Sequence, residues 1–281
     1  MILFIILLTL FHNISINSAS THSSYKPIVL LHGIESTSEN LEELKIWIEE
    51  KWFRPVFNLE LGDGIDYSTG TPIYTQIEEF KTTLHEYSEL KDGFDFIGIS
   101  QGGIIGRGYV QLYNGFTDYK IENIITLVSP HGGVYDKSLG FVNFYTKKMQ
   151  KSLSFSNYWR NPNEMLLYLT HSAFLADANN EKLNKNDTYK KNMDTVNNFV
   201  MVYSPVDEII KPPDSGIFAT FNSKLISIDL FEQQLYIQDW IGLKKLNQEN
   251  RLHIRKTNCT HVEHRMPVCF PQLYPILNEF L

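Results

Sequence analysis

The sequence predicts an α/β protein, with a mostly parallel central sheet flanked by helices. Three observations carry that expectation. Short apolar runs recur as continuous stretches, the signature of strands buried on both faces. Helical periodicities stand between them. In one place, residues 94–106 ("FDFIGISQGGIIG"), a strand-like run passes directly into a helix-like run through a serine fenced by glycines.

Taken in order, "PIVLLHG" (27–33) reads as a short buried strand that stops at a glycine. Leu41, Leu44, Ile48 and Trp52 then fall on one face of a helix, and "RPVFNLEL" (54–61) is a second strand. Over residues 73–90, Ile73, Ile77, Phe80, Leu84 and Tyr87 are spaced four, three, four and three apart, which predicts an amphipathic helix. The strand at 94–99 hands over to a helix starting at residue 101. "IENIITLVSPHGG" supplies a strand ending at Ser129. "NNFVMVYSP" (197–205) and "RLHIRKT" (251–257) are further strands, and "PQLYPILNEFL" closes the chain as a helix.

Residues 1–11 ("MILFIILLTLF") form an apolar run about half as long as a membrane-spanning helix needs. Small residues follow at Ser18, Ala19 and Ser20, so residues 1–20 read as a signal peptide and 21–281 as a single mature domain. No later segment is expected to cross a membrane, and a secretory-pathway protein follows. With 43% hydrophobic and 20% charged residues, the chain has the composition of a globular protein. A formal charge of −7 argues against a nucleic-acid partner, which calls for a basic stripe.

The stretch Gly98-Ile99-Ser100-Gln101-Gly102 fits a G-x-S-x-G turn, a tight bend that lifts a serine hydroxyl above the sheet. Glycine is needed there because a Cβ would collide with the adjoining strand and helix. Ser100 is therefore the candidate nucleophile, and it requires a base and an acid. On this turn the chain order is serine, acid, histidine. Of nine histidines, His261 and His264 lie just beyond the last strand. His261 comes first after the strand and is preferred, with His264 as the alternative. His253 alternates with Leu252 and Ile254 and reads as an outward-facing strand residue. Asp207, on a Pro-marked turn after "FVMVYSP", is the preferred acid, with Glu208 and Asp214 as rivals. The oxyanion donors expected are the backbone N–H groups of Gln101 and, in "LLHGIES", of Ile34.

At this point the motifs converge on a known family. "VLLHGI", "FIGISQGGIIGR", "SNYWRNP", "SPVDEIIKPPDSGIFATF", "QLYIQDWIGLKKL" and "THVEH" occur in order over residues 26–281. Together they resemble the palmitoyl-protein thioesterases of the lysosome. "SNYWRNPNEMLLYLTHSAFLADANNE" gives the nearer likeness to that family's second member. The resemblance implies an α/β-hydrolase fold, long-chain fatty acyl thioesters as substrate, and Ser100, Asp207 and His261 as the triad. Two departures stand out: only two cysteines are present, and the segment between Cys259 and His261 is short.

Residues 134–196 are too long for an ordinary loop between sheet elements. Their aromatic and leucine content predicts a helical cap, either packed as core or lining an acyl groove through residues such as Leu166, Leu167 and Leu169. Cys259 and Cys269 bracket His261 and His264; in an oxidising compartment they are expected to pair rather than to hold zinc with the histidines. No metal or cofactor is expected. Of the sequons at Asn13, Asn186 and Asn258, Asn186 is the credible glycan site, while Asn13 leaves with the signal peptide. The expected partner is a fatty acyl thioester, with transient membrane-surface contact. The competing readings are a lipase or carboxylesterase acting on oxygen esters, and a catalytically silent lipid-binding hydrolase fold.

Overall fold

The computed structural model describes residues 25–281. The signal peptide expected over 1–20 and the sequon at Asn13 lie outside these residues. Six parallel strands form the sheet: β1 (Ile28–Leu31), β2 (Val56–Leu59), β3 (Phe94–Ile99), β4 (Ile121–Leu127), β5 (Asn198–Tyr203) and, last in the chain, Leu252–Lys256. A short antiparallel pair, β6 (Thr220–Phe221) and β7 (Ser227–Ile228), precedes that last strand, which is β8. The sheet order is β2-β1-β3-β4-β5-β8.

Alternation along the strands explains why the runs are apolar throughout. Ile28 and Leu30 of β1 pack on one face with Ile97, Ile99, Ile125 and Leu127, while Val29 and Leu31 join Phe94, Phe96 and Ile124 on the other. Helices cover both sides. The first face receives α1 (Glu42–Trp52) through Leu44 and Ile48, together with the C-terminal Leu273 and Leu277. On the opposite face, beyond a short α2 (Ile65–Gly70), lie α3 (Ile73–Leu84) and α4 (Gln101–Tyr113), which is buried from Gln101 to Gln111.

The helix expected over 73–90 ends at Leu84. The N–H groups of His85, Glu86 and Tyr87 donate three residues back, to Thr82, Thr83 and Leu84, so the chain tightens and leaves the helix. Tyr87 instead packs edge-on against Phe57 of β2.

The segment 134–196 holds four short helices, α5 (Lys147–Ser152), α6 (Met165–His171), α7 (Leu175–Ala178) and α8 (Asp187–Met193). Trp159, fully buried, gathers Tyr135, Phe144 and Phe155 around its ring at 4.6–5.7 Å. These rings join the same core that holds Phe96, Tyr109 and Phe199 on that side of the sheet. After β7, α9 (Gln234–Ile237) and α10 (Leu243–Gln248) lead into β8, and α11 (Phe270–Leu277) ends the fold. Among the described residues no helix is long and apolar enough to cross a membrane.

Candidate active site

The strand order reverses direction between β1 and β3, the position where open parallel sheets leave a crevice beyond the strand C-termini. Ser100 follows β3 directly. Its φ of 53° and ψ of −124° lie outside the ordinary regions, and its N–H is tied to the Leu127 carbonyl at 2.8 Å. The flanking glycines are sterically required. A Cβ on Gly98 would stand 2.6 Å from Gly103 Cα, and one on Gly102 would stand 2.4 Å from the Leu31 carbonyl oxygen.

Asp207 and His261 come from the loops after β5 and β8. His261 Nδ1 and Asp207 Oδ2 are 2.7 Å apart, with the aspartate side chain only 1% exposed. The other carboxylate oxygen, Oδ1, accepts the N–H groups of Ile209 and Ile210 at 2.8 Å each, so the carboxylate is fixed from both sides. The neighbouring Glu208 accepts the backbone N–H of His261 at 3.0 Å. Asp214 lies in the turn Pro213–Ile217, with its carboxyl pushed up by burial and by Asp229.

His264 is fully buried, and both ring nitrogens are engaged, with Thr257 Oγ1 and the Thr260 carbonyl, at 2.8 Å each. Burial holds its pKa below the usual value. A base with no free nitrogen has no route to the serine. The bond between Cys259 and Cys269 closes the loop that carries both histidines. Among the described residues no three His, Cys, Asp or Glu side chains converge as metal ligands.

Ser100 and His261 line one cavity of about 220 Å³, together with Ile34, Leu41, Ile99, Ile209, Val262 and Arg265. No hydrogen bond joins Ser100 to His261 in this arrangement. Catalytic contacts of this kind commonly tighten only when substrate is bound. Leu166, Leu167 and Leu169 are absent from the cavity lining. Leu166 is 75% exposed, and the other two pack against that shared core.

Two parts of the site were not singled out in the sequence. His32, buried after β1, bonds the Gly33 carbonyl through Nδ1 at 2.8 Å and Glu60 Oε1 through Nε2 at 2.6 Å. Glu60 Oε2 accepts the Ser38 N–H at 2.6 Å, so one carboxylate pins both ends of the 32–38 loop. The second is the side chain of Gln101. Its amide donates to the Ser68 carbonyl at 2.8 Å and its oxygen accepts the Tyr158 hydroxyl at 3.1 Å, linking the elbow to the cap. A Gly that ends a strand followed by an acidic residue near the end of the next is too common a pattern to flag the first.

The model for palmitoyl protein thioesterase matches residues 27–261. The chain belongs to that family. Palmitoyl-protein thioesterase 3 of Dictyostelium discoideum is 40% identical over 257 residues, covering 86% of this chain and 87% of the relative. A lysosomal thioesterase PPT2 homolog of Drosophila melanogaster is 31% identical, covering 93% and 95%. Among solved structures, an extracellular alpha/beta-hydrolase from a Paenibacillus species aligns with a TM-score of 0.52 at 14% identity, covering 90% of this chain and 98% of the other. The fold is that of the α/β-hydrolases.

Proposed function

We propose that this member of the palmitoyl protein thioesterase family is a thioester hydrolase that cleaves long-chain fatty acyl thioesters through a Ser100–Asp207–His261 triad. His261 Nε2 takes the Ser100 proton as Oγ attacks the thioester carbonyl. The C–S bond then breaks, the departing sulfur receives that proton, and an acyl-enzyme remains. Water, deprotonated by the same imidazole, attacks the acyl-enzyme and releases the fatty acid. Asp207 holds the imidazole in the tautomer with Nδ1–H toward the carboxylate. The oxyanion is stabilised by the N–H groups of Gln101, at the open N-terminus of α4, and of Ile34.

The observation that carries this reading is the pairing of His261 Nδ1 with buried Asp207 in the cavity that also holds the strained Ser100. Ile34, Leu41, Ile99, Ile209 and Val262 give that cavity an apolar lining suited to the first part of an acyl chain. Ile209 and Val262 of the cavity wall, with Val206, Met266 and Val268 on the same two loops, are 42–62% exposed and supply a surface for transient contact with a membrane. Relatives carry "lysosomal" in their names, and entry into the secretory pathway agrees with a pairing of the two cysteines. Asn186, exposed at the N-cap of α8, is the proposed glycan site.

Comparison of palmitoyl-CoA with a matched palmitoyl oxygen ester tests the reading. Hydrolysis of the thioester by the wild type and not by Ser100→Ala supports it; preference for the oxygen ester makes the protein a carboxylesterase. A fluorophosphonate probe that fails to label Ser100 would leave a lipid-binding fold without chemistry.

A further inference from the structure

Arg265 is out of place in an apolar acyl pocket. It lines the cavity with Ser100 and His261, is half-buried, and among the described residues no carboxylate forms an ion pair with it. Its one hydrogen bond runs from Nη1 to Ser36 Oγ at 2.9 Å, and that hydroxyl in turn donates to Asn40 Oδ1 at 3.0 Å. A guanidinium has five N–H donors in a planar fork, and most of this one's remain unspent.

The nearby acids do not neutralise it. Glu208 takes the His261 N–H at 3.0 Å and Glu263 takes the Thr260 N–H at 2.7 Å. Glu35, also on the cavity wall, is exposed, and its charge acts on Tyr158, on the cap side. Arg265 is the one cation in the cavity lining, on a chain of net charge −7.

A fatty acyl chain carries no charge along its length, so a cation beside the reacting serine can discriminate only through the group that leaves. Resting on the thioesterase reading above, we propose that Arg265 is a specificity-determining residue that binds an anionic group, phosphate or carboxylate, on the thiol half of the substrate. Ser36 holds the guanidinium across the mouth of the pocket, between the loop that supplies Ile34 and the loop that supplies His261. Charge-assisted bonds of this type change affinity by about ten- to a hundredfold.

Three palmitoyl thioesters separate the cases: palmitoyl-CoA, which bears phosphates; S-palmitoylglutathione, which bears carboxylates; and the uncharged thioester of N-acetylcysteamine. Arg265→Gln should raise KM for one or both anionic substrates about ten- to a hundredfold with kcat changed much less. Its effect on the neutral thioester should be a few-fold at most, and Arg265→Lys should restore part of the loss. Which anionic substrate suffers identifies phosphate or carboxylate as the group bound. Equal losses on all three substrates, matched by Ser36→Ala, would make Arg265 a brace between loops and overturn the proposal, as would no loss at all. Free coenzyme A and glutathione binding to the Ser100→Ala protein, measured by calorimetry, gives a readout that needs no turnover. If the wild type hydrolyses none of the thioesters, the proposed activity falls. If it hydrolyses them but neither free thiol binds in an Arg265-dependent way, this inference alone falls.

Discussion

The catalytic edge of the sheet and the cap over 134–196 are assembled on different plans. At the edge, Ser100, Asp207 and His261 stand one, four and five residues beyond the ends of β3, β5 and β8. Each is placed by the strand it follows and is then fixed from the neighbouring strand or loop: the Leu127 carbonyl holds Ser100, and Asp207 and Glu208 hold His261. The cap is held by buried polar side chains reaching far along the chain. Asn157 accepts the Ile73 N–H at 2.9 Å, Arg107 donates to Asn179 at 2.9 Å, and Arg160 pairs with Glu181 at 2.8 Å. The edge is therefore positioned by strand ends and the loops beside them, whereas the cap is held by side chains that reach out from short helices and turns. Substitutions in the two regions should fail in different ways.

The largest effects belong to the edge. Ser100→Ala and His261→Ala should each lower kcat/KM for palmitoyl-CoA by about four to six orders of magnitude, with little change in unfolding free energy, since triad members act as a unit. His264→Ala should show the opposite profile. It leaves the buried Thr257 hydroxyl without its partner, costing about 1–3 kcal/mol in denaturant unfolding, while the folded fraction keeps most of its kcat. If His264→Ala matched Ser100→Ala in lost turnover at full stability, the base would have to be reassigned.

Next in size is the acid. Asp207→Asn should cost about 10⁴ in kcat by releasing the imidazole into the wrong tautomer. Glu208→Ala removes only a bond to the His261 backbone and should cost a few-fold. Reversal of that ranking in steady-state kinetics would move the acid to Glu208.

The disulfide closes the His261 loop on itself, over a separation of ten residues. Replacing Cys259 and Cys269 together by Ala should lower stability by about 3 kcal/mol in the chain-entropy model. Activity at temperatures well below melting should also fall, because the loop carrying His261 loosens. Full activity with the expected loss of stability would show that β8 and the Asp207 contact place the imidazole unaided.

Legibility in the sequence followed the same division. The strands were readable because burial on both faces makes them uniformly apolar, and the elbow because Gly98 and Gly102 leave no room for a Cβ. The choice between His261 and His264 rested on position and on the family resemblance; the structure adds that His264 has both nitrogens occupied. The residues that line the cavity beside Ser100 and His261 were not readable. Leucines at helical spacing in a cap look the same whether they face a groove, the core or solvent, and Leu166 faces solvent. Ile209, in a loop, and Val262, opening a single 3-10 turn (Val262–Arg265), stand on the cavity wall in segments too short for periodicity to flag.

That difference can be sharpened with chain-length profiles. Ile209→Trp should shift the optimum of kcat/KM toward shorter acyl chains. Each methylene excluded is worth about 0.8 kcal/mol, roughly a fourfold change. Leu166→Trp should leave the profile in place. A shift with Leu166→Trp and none with Ile209→Trp would return the acyl site to the cap.

The smallest expected effect compares two buried histidines, one in each region. His264 lies at the catalytic edge; His131, stacked on Phe218 at 4.9 Å and bonded to Thr126 Oγ1 at 3.0 Å, lies beneath the cap, where Asn179 binds its carbonyl. Burial depresses both pKa values below 6.5, and the Arg107 charge adds to the effect at His131. The neutral form is thus favoured in the folded state, and the unfolded chain takes up the proton first as pH falls through about 6.5. Stability should accordingly decline on acidification from pH 7 to 5, by up to about 1.4 kcal/mol per pH unit for each histidine. His253, lowered by partial burial and by Arg255, adds in the same direction. Asp136, held down to about 2 by its hydrogen bond to Lys211, titrates below this window. Asp95 and Asp214, whose carboxyls burial pushes up, take up protons first in the folded state and oppose the slope, so the histidine contribution is read as the difference between the wild type and its variants. Urea unfolding at pH 5, 6 and 7 should show the decline, and His131→Asn and His264→Asn should each flatten it by one proton. Equal slopes in the wild type and in both histidine variants would mean that both histidines are protonated in the folded protein, against the burial that surrounds them. Flattening by His264→Asn alone would show that the region beneath the cap opens to water more readily than the catalytic edge.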